Sequence, residues 1–598
     1  MPLAPPSLPN SDPDPNGRLA ELLDAQAAWQ RGKWADLEAF AARTPFRDMP
    51  TIPWVFRLLP GAARNALNGF LYDLRAWFGN VPKALPAGFA TRSLMGSPAA
   101  SLSKANGSNF QKAQRVVGLR AYRVVDWTMA RTLGVVDGTT RKRAQLSASR
   151  PSDYKRVYAA VRPPPVTKAW QGEVNGLTDE LFASLRLAGS NPEVIARAVG
   201  VPEGFDPGIA TPTGSTLAAR LAAGHLFVCD YSPLRILENS LWNDRPRYVH
   251  CPIALFELDG ASLRPVAIQP GPGLPVVLPQ DAAWMAAKYT VQVADGNHHE
   301  LVSHLARTHL LTELALLATH QNLSKRHPIA RLLLPHFEGT VFINDHARAS
   351  LIAPGGPIDQ IFAGTLSSSQ ALSVQALATL DFSTYDLPTR TAARHTEAIA
   401  DYPYRDDALR VWAAVAAYTE GVVQVVYADD AAMMADPEWQ AWSAALASPV
   451  AVGGIPGFAA AKTRSELARQ LSTIIFTASA QHAAVNFPQF PYMSFAPLLS
   501  GSQWAEAPTA TDAPPFLEFL PPMELAHQQA EVLYLLSSIH HTRLGANSRF
   551  NAPSLDALAD RFRAALVAVE AEIQRGNQTR STPYTMLLPS RIPTSINI

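Results

Sequence analysis

From Gln280 to Ala318 the chain carries a long helical pattern of apolar residues with few breakers and four histidines set into it, and seven of the 15 in the chain fall between His298 and His336. Any fold this sequence adopts must therefore house several imidazoles on or beside a largely apolar helix. His299, His304 and His309 are each five residues apart. On a regular α-helix residues five apart point about 140° away from one another and cannot share a ligand. A π-turn, with its i→i+5 bonds, brings them onto one face, so the spacing predicts a local π-turn and, because such turns concentrate at functional sites, a site there. A lone histidine on a partly buried helix is ordinarily a hydrogen-bonded core residue. Three at a repeated spacing inside an apolar helix point instead to a shared partner. His299 and Glu300 also open like the helix of a zinc hydrolase, but that motif needs its second histidine four residues on, and His304 comes five after.

A second cluster stands in QHAAVNFPQFPY, where His482 and Asn486 are four apart and so share a face of a regular α-helix. Ile474, Ile475 and Phe476 precede the pair and Phe487 follows it. Polar side chains between such flanks face a core and need partners there. A metal ion would satisfy them.

Composition narrows the class. The 598 residues are 47% hydrophobic and carry 51 basic against 50 acidic side chains, which removes any reason to expect nucleic acid as the main partner. Two cysteines, Cys229 and Cys251, do not make a disulfide framework. The start has no basic stretch followed by an apolar run, and no window approaches the roughly 20 apolar residues of a membrane span. A cytoplasmic, soluble protein is expected. Residues 1–17, rich in Pro, Ser, Asn and Asp, are expected to form a flexible leader. Helical stretches follow over Leu19–Phe40 and Ala63–Trp77, and residues 91–110 read as a loop. Short apolar runs between Gly224 and Pro279 suit a small strand-containing region. Helical periodicity returns at Gln280–Ala318, Asp406–Ala428, Arg464–Phe487, Pro522–Ser538 and Ser554–Arg575, with no solenoid repeat. The class is mostly α, with a minor β subregion.

The two clusters together resemble the lipoxygenases, non-haem iron dioxygenases of polyunsaturated fatty acids. That family carries five histidines separated by four, four, seventeen and eight residues, and His299, His304, His309, His327 and His336 reproduce the run. The family's HAAVNF helix stands at His482–Phe487, and its isoleucine end stands here as PTSINI. The resemblance is strongest from Leu181 to Ile598. It implies one large helical catalytic domain over residues 18–598, divergent over 18–180 and motif-bearing over 181–598. It implies, too, that the β-sandwich beginning plant and animal members is missing, as in bacterial members. In its place helices near Leu19–Trp77 would cover the channel mouth, with Trp29, Trp34, Trp54, Phe56, Phe70 and Trp77 available for peripheral contact with membrane lipid. A monomer is expected.

Carried over residue by residue, the resemblance implies that His304, His309, His482, Asn486 and the terminal carboxylate of Ile598 bind iron, with manganese on the same ligand set as the alternative. Imidazole suits iron, and amide and carboxylate oxygens complete a mixed sphere. In the family mechanism a ferric hydroxide takes a hydrogen atom from the bis-allylic methylene of a cis,cis-diene, and oxygen adds to the opposite face of the radical. Glu300 and Gln489 stand where the family links the two helices and orients the asparagine. Ala347 aligns with the position that holds Ala in most S-specific enzymes, which implies an S hydroperoxide. Leu351 and Leu536 align with the pair that clamps the diene, and Ile361 and Phe362 with residues that set pocket depth. Leu499 stands where plant enzymes keep a buried arginine, which argues for tail-first entry. The implied substrates are linoleic, linolenic or arachidonic acid and molecular oxygen. Hydroperoxide isomerisation on the same fold, or lipid binding without catalysis, are the other readings.

Overall fold

The helical periodicity of the second half folds, in the computed structural model, into helices arranged around one central rod. The structure describes residues 5–29, 147–158, 163–170, 176–449, 452–538, 542–580 and 583–596. Helices named below are α1 (Pro15–Ala28), α2 (Asp179–Ala188), α3 (Trp284–His298), α4 (Leu311–Asn322), α5 (Thr340–His346), α6 (Pro357–Ile361), α7 (Pro403–Val426), α8 (Arg464–Phe476), α9 (His482–Asn486), α10 (Met523–Ser538) and α11 (Pro553–Gly576). The central rod is α3 and α4 joined without a break by a π-helical stretch, His299–Leu310. Nearly every residue of α3 and α4 is buried, polar ones such as Lys288, Gln292, Asp295 and Glu313 included.

Around the rod the helices are one-sided. In α7 Ala408, Val411, Val415, Tyr418 and Val422 are buried, a stripe at three- and four-residue spacing that faces α11, where Leu555, Leu558, Phe562 and Leu566 form the matching stripe. Tyr418 and Phe562 stack with ring centroids 4.6 Å apart, and burial of each such side chain contributes about 1.5–3 kcal/mol. The two backbones approach closely because residue 421 is glycine: a Cβ there would lie 2.6 Å from Leu558 Cδ2. Local chemistry sets the helix starts. Thr178 caps α2 by accepting from Leu181 N, Thr463 caps α8 by accepting from Glu466 N, and Pro403 and Pro553 occupy the first turns of α7 and α11.

The strand-containing region is an antiparallel sheet in the order β1 (Ala196–Arg197), β2 (Leu226–Asp230), β5 (Ile253–Asp259), β6 (Ser262–Gln269). Phe227 pairs with Phe256 across β2 and β5, and that face packs on α2 through stacking of Phe182 and Phe256. The opposite face closes over a smaller cluster of Leu217, Leu226, Leu255 and Val266. Between β2 and β5 a short hairpin, β3 (Leu241–Trp242) and β4 (Arg245–Pro246), turns at Asn243 and Asp244, both with positive φ, as its tight two-residue turn requires.

Residues 5–17, where composition suggested a leader, are tied to the body by charge. Arg18 pairs with Asp12 at 2.7 Å and with Glu438, Asp12 also accepts from Arg326 at 3.0 Å, and Ser7 N donates to the Arg326 carbonyl. Trp29, at the end of α1, stacks on His320 of α4 at 4.1 Å. Composition measures apolar area and is blind to ion pairs made across several hundred residues. The expected helix at Ala63–Trp77, the loop at 91–110 and Trp34, Trp54, Phe56, Phe70 and Trp77 lie outside the described residues. Among the described residues no helix is long and apolar enough to cross a membrane.

Candidate metal centre and adjoining cavity

The π-helical stretch does what the five-residue spacing requires. It turns His304 and His309 onto one face, and their Nε2 atoms stand 3.1 Å apart. On the facing element α8 passes through a second π-turn, Thr477–Gln481, into α9, which opens with His482. Its Nε2 lies 3.4 Å from that of His304, and one ring nitrogen from each of the three histidines falls within 4.8 Å of the others. All three rings are buried. Burial pushes His304 and His309 down to about 3, so both are neutral at physiological pH and each has one ring nitrogen free of a proton.

The surroundings of His309 decide which nitrogen that is. The Glu313 carboxylate can only accept, and it takes hydrogen bonds from Arg348 Nη2 and Asn344 Nδ2, each at 2.7 Å. That fixes the amide of Asn344, whose Oδ1 faces His309 Nδ1 at 2.8 Å. Nδ1 therefore carries the proton and Nε2 presents its lone pair inward. For His304, Glu300 Oε2 lies 3.3 Å from Nδ1, and a proton given there likewise frees Nε2. Gln489 Nε2 donates to the same carboxylate oxygen at 3.3 Å and lies 3.1 Å from His304 Nδ1. Burial raises the Glu300 carboxyl above its ordinary value, against the opposing pull of His299 and His309. Glu300 and Gln489 thus meet across the two helices.

Asn486 sits one turn after His482 on α9. Its Nδ2 donates to the Leu536 carbonyl at 2.9 Å, while its buried Oδ1 has no hydrogen-bond partner among the described residues. Two inward lone-pair nitrogens, the Nε2 of His482 facing them and an orphaned amide oxygen make an N/O donor set that suits a first-row metal ion. His299, His327 and His336 are otherwise engaged. His299 Nε2 donates to Val485 O at 2.7 Å, joining the two histidine-bearing elements. His327 donates to Asp436 at 2.8 Å while its Nδ1 accepts from Ile329 N. His336 Nδ1 donates to Thr594 O at 2.8 Å. The C-terminal segment runs inward beside α5, where Thr340 Oγ1 donates to Ile596 O at 2.9 Å. Ile598 lies outside the described residues.

A narrow cavity adjoins the cluster, lined by Glu300, Leu351, Pro357, Ile358, Ile361, Phe362, Met493, Leu499, Gly501, Gln529, Val532, Leu533 and Leu536. Glu300 and Leu536 connect it to the cluster, since the first contacts His304 and the carbonyl of the second holds Asn486. Leu351, Ile361, Phe362 and Leu536 are therefore brought together in one wall. Ala347 opens the π-turn that ends at Leu351 but is not among the lining residues.

Sequence reasoning missed the groups that hold the histidines in place. Asn344 stands in INDHAR, three residues before Ala347, yet nothing local marks it as a partner of His309. Gln481, just before His482, is gripped by Glu193, Arg390 and Tyr404, which lie far away in sequence. Glu193 closes the stretch LAGSNPE at residues 187–193, where nothing local marks it as a partner of Gln481.

Comparison with known proteins bears on the whole arrangement. The lipoxygenase family profile matches residues 275–582. A linoleate 9/13-lipoxygenase of Pseudomonas aeruginosa is 37% identical over 483 residues, covering 74% of this chain and 69% of the relative. The human polyunsaturated fatty acid lipoxygenase ALOX15B is 32% identical over 471 residues, covering 75% and 69%. A solved lipoxygenase structure, Delta413-417:GS LOX, superposes with a TM-score of 0.77 at 24% identity, covering 100% of this chain and 84% of that one. With the helical fold, the buried histidine cluster and these relatives in agreement, the chain belongs to the lipoxygenase family of dioxygenases.

Proposed function

We propose that the protein is an iron lipoxygenase that converts free polyunsaturated fatty acids with a cis,cis-diene, such as linoleic, linolenic and arachidonic acid, to S hydroperoxides. The observation that carries this reading is the convergence of three buried imidazole nitrogens beside an apolar cavity. His304, His309, His482, Asn486 and the carboxylate of Ile598 would hold the metal. Bound there, iron supplies the one-electron chemistry that removes a hydrogen atom from a bis-allylic methylene.

The remaining work falls to the chain. Asn344 and Glu300 hold the outer ring nitrogens so that the inner ones stay free of protons, the arrangement that metal-bound histidines generally need. Leu351 and Leu536 grip the diene, Ile361 and Phe362 limit how far the chain enters, and the apolar wall keeps water from the radical. The methyl group of Ala347, at the start of the π-turn that carries Leu351 into the wall, would favour oxygen addition on the face that gives S product. The substrate class follows the Pseudomonas aeruginosa and human relatives, which are named for linoleate and polyunsaturated fatty acids.

The test combines metal analysis with ultraviolet absorbance on addition of linoleate and oxygen. About one iron per chain and a rising conjugated-diene band are expected. Manganese in place of iron would overturn the metal assignment, and no diene band with a fully loaded protein would overturn the activity.

A further inference from the structure

The β3–β4 hairpin contributes a buried cation that the proposed reaction leaves unused. Arg247, the residue after β4, is 2% exposed. Among the described residues no carboxylate oxygen lies within ion-pair distance of its guanidinium, and burial pushes it below its ordinary value despite the nearby Asp359. A buried charge without a counter-ion is costly and calls for a reason.

Its hydrogen bonds supply one. Nη1 donates to the carbonyl of Gln360, and Nη2 donates to the carbonyl of Asp359 at 3.0 Å and to Ser240 Oγ at 2.6 Å. Asp359 and Gln360 belong to α6, a helix of five residues whose last carbonyls have no partners within the helix. A guanidinium at such an end satisfies them and meets the negative end of the helix. The next two residues are Ile361 and Phe362, which stand in the cavity wall. The hairpin grips the following residue too, because Ser240 N and Oγ both lie 2.8 Å from Ala363 O. From the other side Gly501 presses on Ile361: a Cβ there would lie 3.0 Å from both Ile361 Cγ2 and Ile361 O. Two residues of the wall are thus set between a glycine on one side and a charged clamp on the other.

We propose that Arg247 is a positioning residue which, by holding the carbonyl oxygens of Asp359 and Gln360, fixes where Ile361 and Phe362 stand in the cavity and so selects the carbon of the fatty acid that is oxygenated. The inference rests on the reading of this cavity as the fatty-acid channel. Arginine is required because its planar fork reaches both carbonyls at once, whereas a lysine ammonium is a single point on a flexible stem.

The experiment compares the iron-loaded wild type with Arg247→Gln and Arg247→Lys, using linoleate and arachidonate. Readouts are regioisomer ratio by chromatography, iron per chain and thermal midpoint. For Arg247→Gln the ratio is expected to move by roughly tenfold, the low end of what one methylene is worth in an apolar pocket, with iron content unchanged. Arg247→Lys is expected to lie between the two. Loss of stability alone would leave the ratio where it was, so a folded, iron-loaded Arg247→Gln with the wild-type ratio overturns the inference. Should that variant fail to fold, Arg247→Lys and Ser240→Ala carry the test, and wild-type ratios in both overturn it. No hydroperoxide from the wild type would refute the channel reading itself, a result distinct from an unchanged ratio.

Discussion

Replacing Asn344 with Leu tests whether the state of His309 is set from outside the cluster. The two side chains are nearly the same size, so the packing of α5 is kept while three polar contacts vanish. These are the 2.8 Å bond from His309 Nδ1 to Asn344 Oδ1 and the bonds from Nδ2 to Glu313 at 2.7 Å and to His309 O at 3.2 Å. The neutral bonds are worth about 1 kcal/mol each and the one to the carboxylate about 1.5–3 kcal/mol, so the metal-free fold should lose about 4 kcal/mol. With its outer proton unheld, His309 can rotate or change tautomer, and loss of such a partner typically costs 10–100-fold in metal affinity. The assay is iron retained after dialysis against graded chelator, alongside thermal melts of the metal-free protein. Thr319→Val is the comparison, since it removes buried bonds from the same rod, to Ala315 O and from Trp442 Nε1, without touching the cluster. It should melt lower and hold iron normally. If Asn344→Leu melts lower and yet holds iron as tightly as the wild type, the argument that Asn344 sets the donor state of His309 is wrong.

Three further outcomes are expected. Ala347→Gly should raise the fraction of R hydroperoxide on chiral chromatography, and an undiminished S excess would count against the role given to that methyl group. One residue appended after Ile598 should abolish iron binding with the far-ultraviolet circular dichroism unchanged, whereas a fully loaded variant would remove the carboxylate from the ligand set. Glu193→Gln tests the clamp on Gln481. Burial alone would raise the Glu193 carboxyl, but Arg390 and Arg394 hold it down at about 2 against an ordinary 4.5. A depressed carboxylate stabilises the fold fully above its unfolded value and loses that effect as pH falls from 4.5 toward 2. The variant should therefore lose about 3 kcal/mol at neutral pH and show a flatter stability profile across that acid range. An unchanged profile would mean that the two arginines do not hold the charge.

The helical class and the approximate spans of the rod, α7, α8, α10 and α11 were legible because each carries an apolar stripe at helical period, and a stripe is a local property. The minor sheet was legible for the same reason, as short runs broken by Gly and Pro. His304 and His309 could be anticipated because spacing along one helix is a geometric statement, and residues five apart share a face only in a π-helix; His299, at the same spacing, bonds Val485 O instead, and His482 comes from a second helix. What could not be read was everything that reaches across the fold. The grip of Arg18 on Glu438, of Glu193 on Gln481 and of Arg247 on Gln360 joins residues separated by between 113 and 420 positions. No periodicity marks such partners, and a charged residue in a sequence looks the same whether it is solvated or buried against a carbonyl. Glu300 and Gln489 were named by the resemblance alone, since nothing local in the sequence pairs residue 300 with residue 489.

Two of the π-segments serve the histidine-bearing helices. Each interrupts a helix that is otherwise α-helical, at His299–Leu310 and Thr477–Gln481, and each lies where histidines must converge. A regular helix offers the three- and four-residue spacings, and the His482–Asn486 pair uses the second. Putting His304 and His309 on one face by five-residue spacing instead leaves room between their backbones for the rings to splay toward a common point. The widened turn is affordable because it is buried on nearly all sides and because side chains outside the helix hold it. Asn344 Oδ1 accepts from His309 Nδ1 while its Nδ2 donates to the His309 carbonyl, and Ser303 Oγ donates to Asn191, which itself donates to Asp295 earlier on the rod. Asp295 in turn accepts from Tyr231 and pairs with Arg186, both of them buried. The polar residues that surround the rod are thus a scaffold for an irregular helix, and the irregularity is what lets one apolar element deliver two donors to one point.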